Sequence, residues 1–172
     1  NAKIAFGFQV TFFRSRIPGT QAMQSSLAAR QLVFAHAALT DVRGRKLWHD
    51  QRMARSSGAE PKDNPNDSAW TSTQDTNIQL HDWSLARQGT DLQARIAARD
   101  FSIAVTLTAT QPVLLQGDRG LSQKGPDSAQ TSYYYSLPHL QVRGELVLQG
   151  RRHAVGAGST AWLDHEWSQE VL

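Results

Sequence analysis

Cysteine is absent from the 172-residue chain, which excludes disulfides, thiolate nucleophiles and cysteine-based zinc sites. The compartment stays open, because a bacterial periplasmic domain can fold without disulfides. No apolar run reaches the roughly 18 residues of a membrane span, and no signal-peptide pattern occurs within these residues. Charge of one sign is also scarce. The formal net charge is +3, and the closest basic groups, Arg43-Arg45-Lys46 and Arg151-Arg152, are short. A nucleic-acid footprint would need a basic stripe interleaved with aromatics, so nucleic acid is not expected as a partner. Sustained helical periodicity is missing too, apart from a weak stretch at Gln21–Arg30.

Several chemical signatures are lacking as well. No Gly-x-Ser-x-Gly elbow is present, which removes the usual signal for a serine hydrolase. The segment Gln116-Gly-Asp-Arg-Gly-Leu-Ser-Gln-Lys-Gly125 lacks the Gly-Lys-Ser/Thr ending of a phosphate-binding loop, and no helix pattern follows it. No His-x-x-x-His pair occurs, and His36, Asp164 and Glu166 have no recognised zinc spacing, so neither metal nor cofactor is expected.

What the chain does contain is period-2 alternation. Ile4, Phe6, Phe8, Val10 and Phe12 fall on one face of a strand, and Ala5, Gly7, Gln9, Thr11 and Phe13 on the other. Phe101, Ile103, Val105 and Leu107 alternate with Ser102, Ala104, Thr106 and Thr108. Leu140, Val142, Gly144, Leu146 and Leu148 alternate with Gln141, Arg143, Glu145, Val147 and Gln149. The parity of Leu92–Ala98 flips before Phe101, which predicts a tight turn at Arg99-Asp100 and a hairpin over 92–108. Leu32–Leu39 is apolar on both parities, as in a strand covered on both faces. Shorter strands are expected at 46–54, 78–86 and 154–167, with long loops at 55–76 and 116–130. Many strands with local connections predict an all-β, antiparallel barrel or sandwich.

The densest polar group is Trp162-Leu-Asp-His-Glu-Trp167. As a strand it sends Asp164 and Glu166 to one face and His165 and Trp167 to the other. Histidine is the usual acid or base near neutral pH, which makes this motif a catalytic candidate; the alternative is a charged edge strand with two packing indoles. His36 is either a hydrogen-bonded core histidine or a pocket residue. Tyr133, Tyr134 and Tyr135 put two phenols on one face and one on the other; they are either pocket liners or ordinary strand residues. Gln9 and Lys124 complete the ligand-binding candidates, Lys124 as a loop cation that could meet an anionic group.

Five segments occur in an order that resembles a known family: Gly7-Phe-Gln-Val-Thr-Phe-Phe-Arg14, Phe34-Ala-His-Ala-Ala-Leu-Thr-Asp41, Gly120-Leu-Ser-Gln-Lys-Gly125, Ser132-Tyr-Tyr-Tyr-Ser136 and Ala161-Trp-Leu-Asp-His-Glu-Trp167. They are similar to the AttH/CrtC-like proteins, often labelled secreted hydrolases. That resemblance implies two consecutive lipocalin-like barrels, of which residues 1–172 are the first, trimmed at both ends. It implies a small hydrophobic ligand, an exported, periplasmic or membrane-associated location, and ABC-transporter components as partners. Relatives include carotenoid and kievitone hydratases and fungal enzymes that guide Diels–Alder cyclisation. In the hydratase branch a His-x-Trp pair acts in catalysis, which matches His165 and Trp167 here. The same branch also uses a Tyr/Asp pair from further along the chain, beyond these residues. The expected activity is therefore hydration or isomerisation of a bound alkene, with a non-catalytic carrier and a secreted hydrolase as alternatives.

Overall fold

The computed structural model describes residues 5–25, 28–58, 63 and 67–168. Among these the only helix is a three-residue 3-10 turn, Pro18–Thr20, and every other element is a strand. No described helix is long and apolar enough to cross a membrane. The all-β expectation is met, and every described strand pairing is antiparallel.

The chain forms two compact units. The first comprises residues 1–105 and 144–154. Its strands β1 (Phe6–Arg16), β2 (Gln31–Asp41) and β3 (Lys46–Ser56) make a three-stranded sheet with β2 in the middle. A meander follows through β4 (Ala69–Thr71), β5 (Asn77–Leu80), β6 (Trp83–Gln88), β7 (Asp91–Ala97) and β8 (Phe101–Ala109), whose residues 101–105 belong here. The core is what alternation demands. Val33, Ala35, Ala37 and Leu39 are buried from β2, and Leu92, Ala94, Ile96, Phe101, Ile103 and Val105 from the β7–β8 hairpin. Trp83 is fully buried, and its indole N–H donates to the Ala97 carbonyl at 2.9 Å, so the ring packs without stranding a donor.

The second unit comprises residues 106–143 and 155–172. It holds β9 (Leu114–Leu115), β10 (Leu121–Gln123), β13 (Thr160–Trp167) and the first part of β11 (Thr131–Leu148); the last part of β11 and β12 (Arg151–Ala154) belong to the first unit. Both β9 and β10 pair with β11, and so does β13. Tyr133 is directly opposite both Leu121 and Trp167, so β10 and β13 flank β11 on opposite edges.

Several sequence expectations are corrected. The segment 78–86 is two strands rather than one, because His81 adopts a φ of 53° and turns the chain. The segment 154–167 likewise divides between β12 and β13. The long loops hold β4 and β10. No regular helix occurs among the described residues of 21–30; 26–27 lie outside them, as does Ile4 of the first expected strand. Although β2 is apolar on both parities, only one face is buried, and His36 on the other is exposed. Beside it on that outer face is the apolar Phe34, whose ring stacks on Phe13 of the neighbouring strand. The parity of 140–148 holds: Val142 and Leu146 are buried, Arg143 is exposed, and Glu145 pairs with Arg152 at 2.9 Å.

Gly144 interrupts that strand for a steric reason. Its φ is 133°, and a Cβ there would sit 2.1 Å from the Ala104 carbonyl oxygen. Only glycine tolerates both the dihedral and the approach of the neighbouring backbone. Gly144→Ala is expected to lower stability by about 1–3 kcal/mol, the usual cost of such backbone strain. Chemical denaturation checks this, and an unchanged midpoint would show that the strand relaxes freely.

Candidate functional site

The candidate site of the second unit depends on a bulge. Between Leu137 and Leu140 β11 advances three residues, while opposite them β13 advances two, from Leu163 to Ala161. The extra residue falls at Pro138-His139, where proline has no N–H to give to the ladder and His139 adopts a φ of 52°. The hydroxyl of Thr110 donates to the His139 carbonyl. Because of the inserted residue, Leu137 stays on the same face as Leu140 and Val142. All three are buried, at 7%, 1% and 3% exposure. Tyr135 and Tyr133 continue the same face towards the start of the strand, but there that face is open, with Tyr133 52% exposed, while Ser132 and Ser136 on the other face are buried.

Directly opposed residues of antiparallel strands share a face. One row across this side is therefore Leu115, Tyr135 and His165, and the next is Leu121, Tyr133 and Trp167. The rings make a contiguous cluster. Tyr133 stacks on Trp167 with centroids 5.5 Å apart, and Tyr135 meets His165 edge-on at 5.1 Å. His165 lies 5.2 Å from Trp167. The Tyr135 hydroxyl and Nδ1 of His165 are 2.9 Å apart, a hydrogen bond. This side offers an aromatic wall, flanking leucines, and one phenol–imidazole pair able to exchange a proton.

The opposite face is polar and internally satisfied. The buried Ser136 hydroxyl donates to Asp164 Oδ1 at 2.6 Å, the Trp162 indole N–H donates to the same oxygen at 2.7 Å, and the Tyr134 hydroxyl adds a third bond. Gln116 donates to Ser136 at 2.8 Å. Glu166 accepts from the buried Ser132 hydroxyl at 2.5 Å and pairs with Lys124 at 2.6 Å. The Lys124 ammonium also lies 5.0 Å over the Tyr134 ring. Burial pushes the Asp164 carboxyl up, but the donors Ser136, Trp162 and Tyr134 outweigh it and hold the group below its ordinary range. In Glu166 burial is likewise outweighed, here by Lys124 and Ser132. The Tyr134 phenol is pushed up, first by burial and then by its bond to Asp164. Both carboxylates are thus ionised at neutral pH and accept hydrogen bonds rather than give protons.

The sequence candidates are therefore distributed as alternation requires. His165, Trp167, Tyr133 and Tyr135 share one face, and Asp164, Glu166, Tyr134 and Lys124 the other. The anionic group that Lys124 meets is the chain's own Glu166. Gln9 and His36 belong to the first unit, on the outer face of β1–β2–β3. His36 is opposite Thr11 and Gln51, 5.5 Å from the Phe13 ring, which stacks on Phe34 at 4.4 Å. A core histidine is thereby ruled out for His36, which is exposed. Sequence reasoning did not single out Ser132, Ser136, Gln116 or Trp162, nor the flanking Leu115 and Leu121. Pro138 inside a strand pattern was the available signal for the bulge. Among the described residues no group of three His, Asp or Glu is placed to hold a metal ion.

The AttH-like family matches residues 1–172, the whole chain. The chain belongs to that family. An AttH protein from Nitrosomonas europaea is 43% identical, with a TM-score of 0.81 over 97% of this chain and 47% of its own. Kievitone hydratase from Nectria haematococca is 14% identical, with a TM-score of 0.63 over 81% of this chain and 40% of its own. This AttH-like chain thus spans less than half the length of either solved structure. The likeness to kievitone hydratase carries the fold, an antiparallel lipocalin-like β architecture, as the sequence led us to expect. No curated protein matches the chain.

Carboxylates held below their ordinary range stabilise the fold above the unfolded pKa, and that contribution is lost as pH falls through the folded pKa. An Asp164→Asn/Glu166→Gln double variant should therefore melt below wild type at pH 7. The gap should narrow from about pH 5 downwards, where the wild-type carboxylates take up protons. A gap that stays constant from neutral to strongly acidic pH would show that the two carboxylates do not carry this linkage.

Proposed function

We propose that this AttH-like chain binds a small, largely apolar molecule on the aromatic side of β11 and β13 and acts on it by proton transfer, as a hydratase or isomerase. The observation that carries this reading is the grouping of Tyr133, Tyr135, His165 and Trp167 on one face, with both neighbouring carboxylates tied down on the other. Asp164 and Glu166 are held ionised and accept hydrogen bonds, so in this reading His165 is the acid–base side chain of the terminal motif. The kievitone hydratase likeness supports the same class of chemistry by analogy of fold.

In this reading the imidazolium of His165 gives its proton to one carbon of an alkene. The positive charge that develops on the other carbon lies beside the π-face of Trp167, which is electrostatically favourable. Water then bonds to that carbon, and its surplus proton returns to the imidazole. The net change is addition of one water, and the histidine is restored. A positioned general acid of this kind contributes about 10²–10⁴-fold in rate. Leu115, Leu121 and the tyrosine rings present apolar surface to the body of the ligand. We place the whole protein outside the cytoplasm, with its further lipocalin-like half and ABC-transporter components as partners.

The full-length protein, offered a panel of apolar terminal alkenes, is expected to form products heavier by one water, detected by mass spectrometry. His165→Ala should abolish that product while costing no more than about 0.5–3 kcal/mol of stability, the ordinary range for single substitutions. Co-purified apolar ligand with no turnover of any alkene, and no difference between wild type and variant, would replace the enzyme reading with that of a carrier.

A further inference from the structure

The hairpin of β2 and β3 in the first unit ends in a turn unlike the other tight turns described. Between Asp41 and Lys46 the chain reverses through Val42-Arg43-Gly44-Arg45, and all four residues are exposed. Val42 is 56% exposed, and Leu47, just past the turn, is 57% exposed. Leu47 is opposite Thr40 on the outer face, and Val42 continues the parity of Thr40. The turns at 81–82, 89–90, 99–100 and 149–150 expose no large hydrophobic side chain. Beside the two aliphatic groups are three exposed cations, Arg43, Arg45 and Lys46. Arg45 takes a φ of 50°, a region that glycine and asparagine enter at lower cost, so a cation is held there against backbone preference. The single acid of 41–48 is Asp41, half-buried and turned back on the chain. Its Oδ1 accepts the N–H groups of Arg43 at 3.0 Å and Gly44 at 2.9 Å. Lys46 lies 4.8 Å over the Trp48 ring, and the Val42 N–H donates to the Ala5 carbonyl at 3.1 Å, which ties the base of the turn to the start of β1.

We propose that the β2–β3 turn is a membrane-docking tip that meets an anionic phospholipid surface. Charge and apolar exposure together select this partner. Anionic headgroups attract cations over about a Debye length, roughly 8–10 Å at physiological ionic strength. The hydrocarbon boundary beneath them accepts the aliphatic groups that the fold leaves in water. Stable attachment to a bilayer generally takes two signals, one apolar and one cationic, and this turn carries both. The long stems of Arg and Lys can lie along the apolar layer while their charged ends stay with the headgroups. Nucleic acid or an acidic protein surface would use the three cations but would give Val42 and Leu47 nothing to bury against. The tip does not rest on the proposed reaction of His165. It adds a source for an apolar ligand, the bilayer in which such a molecule dissolves.

The full-length protein is floated with vesicles of equal parts phosphatidylcholine and phosphatidylglycerol, and with vesicles of phosphatidylcholine alone. Binding is expected to the anionic vesicles and not to the neutral ones. It should weaken as ionic strength is raised from about 0.1 M to 1 M, where the Debye length falls from about 10 to 3 Å. A cation near an anionic surface contributes about fivefold, so Arg43→Gln/Arg45→Gln/Lys46→Gln should lower affinity on the order of 100-fold. Val42→Ser/Leu47→Ser keeps the charge and should lower affinity about 10-fold by removing the apolar contact. Arg16→Gln/Arg55→Gln is the control. These exposed cations belong to the far end of the same sheet. At 3.3 Å per residue they are about 30 Å from the turn, beyond the reach of screened charge, and their loss should change affinity by less than about twofold. Absence of binding to the anionic vesicles, or equal losses from the turn and far-end variants, would overturn the proposal. So would binding that is indifferent to Val42→Ser/Leu47→Ser, since the turn would then be a general anion contact. Tight binding of a DNA duplex through the same three cations would assign the turn to nucleic acid instead. If the triple variant does not fold, the aliphatic variant and the salt dependence decide by themselves.

Discussion

The inserted residue at Pro138-His139 is the constraint on which the second unit depends. Strand side chains alternate strictly, so an uninterrupted β11 would carry Leu140, Val142 and the even-numbered residues before them on one side. Tyr134, Ser136 and Ser132 would then share the face of Leu140 and Val142, and Tyr133 and Tyr135 would take the other. One extra residue reverses this relation. Leu137 joins Leu140 and Val142, and the tyrosines of the odd positions extend the apolar side to the point where burial ends. The strand thereby changes from a buried packing element at one end to an exposed aromatic face at the other.

The polar face is what lets an exposed final strand hold its register. β13 is half exposed along most of its length, so the hydrophobic effect alone does little to fix it. Two carboxylates two residues apart, each receiving hydroxyl hydrogen bonds from buried serines two turns of the pleat apart on β11, tie the strand at two points. Charge-assisted hydrogen bonds are shorter and stronger than neutral ones, and a one-residue slip would break both at once. The same alternation then delivers His165 and Trp167 to the other face. Clamp and candidate site are thus two sides of one strand, and the residues of the Asp-His-Glu-Trp segment divide between them by parity.

In the first unit the same logic gives a different result. Val33, Ala35, Ala37 and Leu39 are buried, while Phe34 and His36 project outward with Phe13. The apolar character of the outer face is an aromatic stack next to an imidazole rather than core.

The sequence by itself determined the all-β class, the hairpin turn at Arg99-Asp100, the buried parity of Phe101–Leu107 and Leu140–Leu148, and the split of Asp164 and Glu166 from His165 and Trp167. Each of these follows from local period-2 geometry, which needs no knowledge of neighbours. It also carried the family, through five ordered segments. Only the tertiary structure decided which face of Tyr133–Tyr135 joins which face of β13, because that depends on a single inserted residue and on cross-strand register. It likewise decided that His36 is exposed, that Lys124 is neutralised by Glu166, and that burial of Asp164 and Glu166 is outweighed by their donors. Those are relations between residues tens of positions apart. Alternation states that two side chains leave opposite faces, but pairing alone determines what each one meets.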